Sequence, residues 1–204
     1  MSELATSPVT TPALDPRPAA RPRIPGETGI WVFVLGDMVM FGAFFGIFVE
    51  ARSHNVALFN ASQQQLLVAF GAVNTCLLLT GSLFVVWGVH AIRHGAARFA
   101  PGLFGAAFVC ATLFGIDKVI EYAEKLSVGI TPATNPFFTY FFMFTGVHAM
   151  HLIIGMVVLA RMRRIAGQPA LDASNVRAIE SGATYWHLVD LLWVVLFALL
   201  YLLN

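Results

Sequence analysis

Charge is what this chain has least of. Of its 204 residues 58% are hydrophobic and only 11% are Asp, Glu, Lys or Arg, with a mean hydropathy of +0.76. A soluble domain carries roughly a quarter charged residues, so the balance excludes an ordinary water-soluble fold and points to a membrane. The net charge of +1 and the lack of a basic patch exclude a nucleic-acid binder. Cysteine is scarce too. Cys76 and Cys110 both sit inside apolar stretches, so a disulfide framework is excluded, and no CxxC or Cys/His spacing suits zinc. Both read as small buried hydrophobes. The opening segment lacks the apolar core of a cleavable signal peptide, and its Pro-, Ala- and Thr-rich composition reads as a disordered cytoplasmic tail over residues 1–28. No internal repeat is present.

What the chain does have is long apolar stretches. Five of about 20 residues or more match the length needed to cross roughly 30 Å of hydrocarbon: Ile30–Val49, Leu66–Ile92, Leu103–Glu124, Phe137–Ala160 and Ala183–Leu203. Each must be helical, because in lipid only a helix satisfies a single segment's backbone internally. The expected fold is therefore all-α, an integral membrane domain of five transmembrane helices over residues 29–204. Gly36, Gly42, Gly46, Gly71, Gly81, Ser82, Gly88, Gly146 and Gly155 offer the small surfaces by which helices pack closely in lipid.

Basic residues set the expected orientation. Arg17, Arg21, Arg23, Arg93, Arg98, Arg161, Arg163, Arg164 and Arg177 fall on one side; Arg52 and Lys125 fall on the other, and Lys118 lies inside the third span. The positive-inside rule then places the N-terminus in the cytoplasm and the C-terminus in the periplasm of a bacterial inner membrane.

Polar groups inside the spans carry the functional question, since lipid-facing imidazoles and carboxylates are expensive. His148 and His151 share a helix face three residues apart. At about 1.5 Å of rise per residue, Asp190 and His151 lie ~10 and ~13 Å from the arginine-rich edge, which makes their hydrogen bond the first expectation. Asp37 and His187, ~10 and ~6 Å deep, form a second candidate pair. Toward the other edge Glu121 faces Asn74, Lys125 or water, and Thr145 is the local candidate for His148. Trp186 and Trp193 flank Asp190 on one face of the fifth span and read as an aromatic packing face. His-x-x-His and His-x-x-Asp offer metal-ligand types, but a self-satisfied polar network of Asp37, Asn74, Glu121, His148, His151, His187 and Asp190 needs no metal, cofactor or catalytic residue. A transporter or proton channel using the intramembrane acids is the alternative; five spans without a repeat argue against it.

Four blocks carry a family resemblance: VNTCLLLTGSLFVVWGVHA, KVIEYAEKLSVGI, FFMFTGVHAMHLIIG and GATYWHLVDLLWVVLFALLYL. From about Gly26 to its end the chain resembles subunit III of the haem–copper oxidases. Its PGETGIWVFVLGDMVMF opening and five-span length are most similar to the nitric oxide reductase-associated, NorE-type branch. The family's oxidase subunit often has seven spans, and its acid in the first of these five is typically glutamate where this chain has Asp37. The resemblance implies an accessory subunit without redox cofactors. Such a subunit packs among lipids against a catalytic haem-containing subunit of a haem–copper oxidase or nitric oxide reductase, supporting its stability and proton supply in respiratory electron transport or denitrification. It also implies that Glu121, His148, His151, His187 and Asp190 fix the bundle rather than bind ligands.

Overall fold

A computed structural model describes residues 26–203. The expected tail lies, except for its last three residues, outside the described residues, and with it Arg17, Arg21 and Arg23. Six helices follow one another: α1 (Thr28–His54), α2 (Val56–Gln63), α3 (Val68–Arg93), α4 (Ala100–Ser127), α5 (Pro136–Ala166) and α6 (Ala173–Phe197). A 3-10 turn at Ala97–Phe99 leads into α4, and a π-helical turn at Ala198–Leu202 prolongs α6. Among the described residues five helices are long and apolar enough to cross a membrane.

Local chemistry sets the ends of these helices. Asn135 is extended and its side chain accepts the backbone N–H of Phe138, with Pro136 at the first helical position of α5. Asp172 caps α6 in the same way through the N–H of Asn175. That bond, with a second from the Ser174 hydroxyl, holds the exposed Asp172 carboxyl below the usual carboxylate range. A depressed carboxylate contributes its stability above its ordinary pKa and loses it as pH falls through the lowered one. Gly95 and Gly129, at φ +78° and +80°, end α3 and α4. In each case the glycine N–H reaches the carbonyl three residues back, and the next N–H reaches the one five back (Ala96 to Ala91, Ile130 to Lys125).

Helices α3, α4, α5 and α6 pack in a closed ring, each touching the next and α6 returning to α3. Trp186, Trp193, Phe104, Phe114 and Phe141 fill its interior. α1 lies outside the ring against α6, and α2 folds back onto α5. Only one narrow stripe of α1 is buried, Val34, Asp37, Phe41 and Phe48. At the arginine-rich end the carboxylate of Glu180 takes the Gly26 N–H and the Arg93 guanidinium, and the Ser181 hydroxyl takes the Glu27 N–H. At the far end Arg52 donates to Asn60 and to the Leu203 carbonyl, and Lys125 donates to the carbonyl of Gln65.

The expected glycines divide. Gly71, Gly81, Gly88 and Gly155 face aromatic rings or backbone of neighbouring helices, whereas Gly36, Gly42, Gly46 and Gly146 face open space among the described residues. Helix ends also differ from expectation: α6 begins at Ala173 rather than Ala183 and α5 runs on to Ala166, because their arginine-rich turns continue as helix beyond the apolar stretch.

A Cβ added at Gly88 would stand 2.5 Å from the fully buried ring of Phe104. Gly88→Ala is therefore expected to lower stability by roughly 1–3 kcal/mol through overpacking, while Gly42→Ala has no effect, read as thermal unfolding in detergent.

Candidate functional site: buried polar knots in the bundle

Two knots of buried polar side chains tie the helices together. The first joins α1 to α5. His151 Nε2 lies 3.2 Å from Asp37 Oδ1, and its Nδ1 lies 2.9 Å from the carbonyl of Val147. A carbonyl only accepts, so Nδ1 donates. The Asp37 contact then holds one further proton, on the imidazole or on the carboxyl, and the pair is neutral as a whole. Both side chains are about 95% buried. The ring of Phe41 stands edge-on to His151, and the Tyr185 hydroxyl of α6 donates to the His151 carbonyl, so three helices meet here.

The second knot joins α4 to the π-helical turn after α6. The Lys118 ammonium donates to the Glu121 carboxylate, one turn along the same helix, and to the Tyr201 hydroxyl at 2.9 Å. Tyr201 in turn donates to the other Glu121 oxygen at 2.7 Å. The triangle is closed, and the ammonium also sits 4.7 Å above the ring of Trp193. Next to Glu121 in α4, the Tyr122 hydroxyl is hydrogen-bonded to Thr145 of α5, which donates to the Phe141 carbonyl.

Between the knots the polar groups are less complete. His187 Nδ1 meets the Ser82 hydroxyl at 2.7 Å, and the Trp193 N–H donates to Thr75. His148 is fully buried between the rings of Phe114 and Trp193, with neither nitrogen hydrogen-bonded. Asn74 and Asp190 are likewise buried without a hydrogen bond of ordinary geometry among the described residues, Asn74 lying beside Asp117 and Asp190 beside Ser82. Groups of this kind are costly unless water reaches them. No cluster of three or more His, Cys, Asp or Glu side chains is placed to hold a metal among the described residues. What the arrangement can do chemically is hold neutral ion pairs and share protons within each knot.

The family model for cytochrome c oxidase subunit III matches residues 25–204. This chain belongs to the cytochrome c oxidase subunit III family. It is similar to cytochrome c oxidase subunit 3 of Thermostichus vulcanus, 28% identical over 86% of each chain. It is also similar to cytochrome bo(3) ubiquinol oxidase subunit 3 of Buchnera aphidicola, 24% identical over 85% of this chain and 84% of the relative. Against cytochrome c oxidase subunit 3 of Prototheca wickerhamii the identity is 29% over 85% of this chain and 67% of that longer relative.

Within this subunit III framework the expected pairs regroup. His151 meets Asp37 and not Asp190; His187 meets Ser82 and not Asp37; Glu121 meets Lys118 and Tyr201 and neither Asn74 nor Lys125; Thr145 meets Tyr122 and not His148. Depth fixes height along the bundle, but the direction a side chain faces decides its partner. Trp186 and Trp193 are fully buried, as an aromatic packing face requires. Tyr201 and Tyr185 escaped the sequence reading, which noted Lys118 only as a charge inside the third span and Ser82 only as a small packing residue. The Lys118–Glu121 spacing of three was a usable signal, since it puts both on one helix face.

Removing one member of a buried ion pair strands the other. Glu121→Ala is expected to destabilise by roughly 3–5 kcal/mol, and the Lys118→Met, Glu121→Met double variant by far less, as thermal unfolding in detergent will read.

Proposed function

We propose that this chain is a non-catalytic accessory subunit of a haem–copper respiratory complex, and that its place is in the nitric oxide reductase-associated, NorE-type branch. The family match across residues 25–204 carries the reading. The relatives are named as subunit 3 of cytochrome c and ubiquinol oxidases, so the partner proposed is the haem-bearing catalytic subunit of such a complex. In this reading the chain has no redox group or catalytic residue of its own, and its N-terminus lies in the cytoplasm of a bacterial inner membrane. The described arginines support that orientation: Arg93, Arg98, Arg161, Arg163, Arg164 and Arg177 gather where α3 and α5 end and α4 and α6 begin.

The knots suit a subunit that supplies rigidity. In this reading Asp37, Glu121, His151 and His187 fix the bundle in register through their partners, His148, Asn74 and Asp190 are packed among them, and the outer face of α1 stays apolar. On that face Gly42 and Gly46 stand one turn apart with open space before them. Small residues in this spacing admit a neighbouring helix closely, as the catalytic subunit's would be. Support of proton supply is proposed for Asp37, the buried acid of α1 held against His151.

The branch is tested by isolating the complex from native membranes through a tag on this chain. A nitric oxide reductase catalytic subunit is expected to co-purify, and its assembled amount to fall in membranes lacking the chain. Recovery of an oxygen-reducing oxidase would move the chain to the oxidase branch. Stoichiometric haem or copper in the chain alone, or proton movement by it alone in liposomes, would overturn the accessory reading.

A further inference from the structure

We propose that Asp190 exchanges its proton with the aqueous phase at the arginine-rich end, through a cavity between α3 and α6 and a relay formed by His187 and Ser82. The cavity measures about 360 Å³, and Val86, His90, Arg93, His94, Glu180 and His187 are among the residues lining it. At about 30 Å³ per water it admits several. His187 joins this cavity to the interior: it lines the wall, and its Nδ1 lies 2.7 Å from the Ser82 hydroxyl of α3. Beside Ser82 lies Asp190, 5% exposed, whose two carboxyl oxygens make no hydrogen bond of ordinary geometry among the described residues.

A structural lock between α3 and α6 is the simpler account of the His187–Ser82 bond. It uses one imidazole nitrogen, and it leaves unexplained a polar cavity against the same ring and a buried carboxyl without a cation. The ion pairs among the described residues engage Glu50, Glu180, Glu121 and Asp37, and none of them reaches Asp190. An exchange path accounts for all three features. A proton arriving at His187 Nε2 from cavity water lets the Nδ1 proton pass to the Ser82 oxygen. The Ser82 hydroxyl, which rotates, then passes its own proton to the Asp190 carboxylate. One proton enters and one carboxylate is neutralised, and the return runs through the same groups in reverse. Of the other titratable groups lining the cavity, Arg93 and Glu180 pair with each other and His90 stacks on His94, so the step inward falls to His187. Three residues further along α6, Trp193 closes edge-on against Phe114, with ring centroids 4.7 Å apart. The path therefore stops at Asp190 and carries no proton across the bundle. The inference rests on the arginine-rich end meeting water and is independent of which catalytic subunit the chain accompanies.

Rapid-mixing infrared spectroscopy of the full chain in nanodiscs, stepped from alkaline to acid buffer, tests it. The carboxyl band that vanishes in Asp190→Asn reports Asp190, and in the wild type it is expected to rise promptly after the step. Ser82→Ala and His187→Ala are each expected to slow that rise about a hundredfold, the low end of what a placed proton carrier contributes. Free imidazole is expected to restore the rate in His187→Ala, which a lock alone does not predict. Val86→Trp narrows the cavity without touching the relay and is expected to slow the rise as well. Asn74→Ala, two turns from Ser82 toward the far end of α3, is expected to leave it unchanged. The proposal is overturned by a band that ignores the step, by unchanged rates in Ser82→Ala, His187→Ala and Val86→Trp, or by slowing in Asn74→Ala alone. Failure of imidazole to restore His187→Ala would also overturn it and leave His187 a lock.

Discussion

A polar side chain in hydrocarbon has no water to return to, and every feature of this bundle answers to that constraint. With one ordinary ladder of backbone bonds per helix, the remaining polar atoms must find each other across helices or stay unmet. The Asp37–His151 pair is the clearest answer. α1 buries only a narrow stripe, so apolar packing alone gives it weak hold on the ring of α3 to α6. The pair places α1 in height and rotation at one point, and Glu180 and Ser181 hold its first turn at the arginine-rich end. Lys118, Glu121 and Tyr201 do the same at the other end, where the last turn of the chain would otherwise be free to fray.

The five spans were legible because length and hydropathy decide them, and a helix is the sole single-segment solution in lipid. Helix α2 was not. Its mixed sequence VALFNASQ has no long apolar run, and it is seated by Phe59 packing under α5 and by Ser62 accepting from Asn135. The polar residues were legible as groups that the bundle buries: Asp37, Asn74, Glu121, His148, His151 and Asp190 are all buried. Their pairing was not, since rise per residue says nothing of azimuth. Asp190 lies beside Ser82 of α3, while His151 turns outward to α1. Glycine showed the same limit: Gly81 and Gly42 look alike in sequence, but one faces Trp186 and Cys110 and the other faces open space.

For a subunit III-family chain, this division of labour is informative. The inner ring is closed by aromatic packing, and among the described residues His148, Asn74, Asp190 and the Trp186 N–H lack a hydrogen bond of ordinary geometry within it. The outer face of α1 is instead apolar and exposed. A rigid core with an exposed apolar outer face fits the accessory role proposed above. The role proposed for that face depends on the inner ring staying fixed when it is engaged.

A double-mutant cycle on Asp37 and His151, with each changed to alanine singly and together and unfolding followed in detergent, addresses this account most directly. A coupling of about 0.6 kcal/mol or more, up to the ~1.7 kcal/mol reached by the strongest such pairs in membranes, is the predicted result. Additive effects of the two substitutions would contradict it, for then α1 would be held by apolar contact alone.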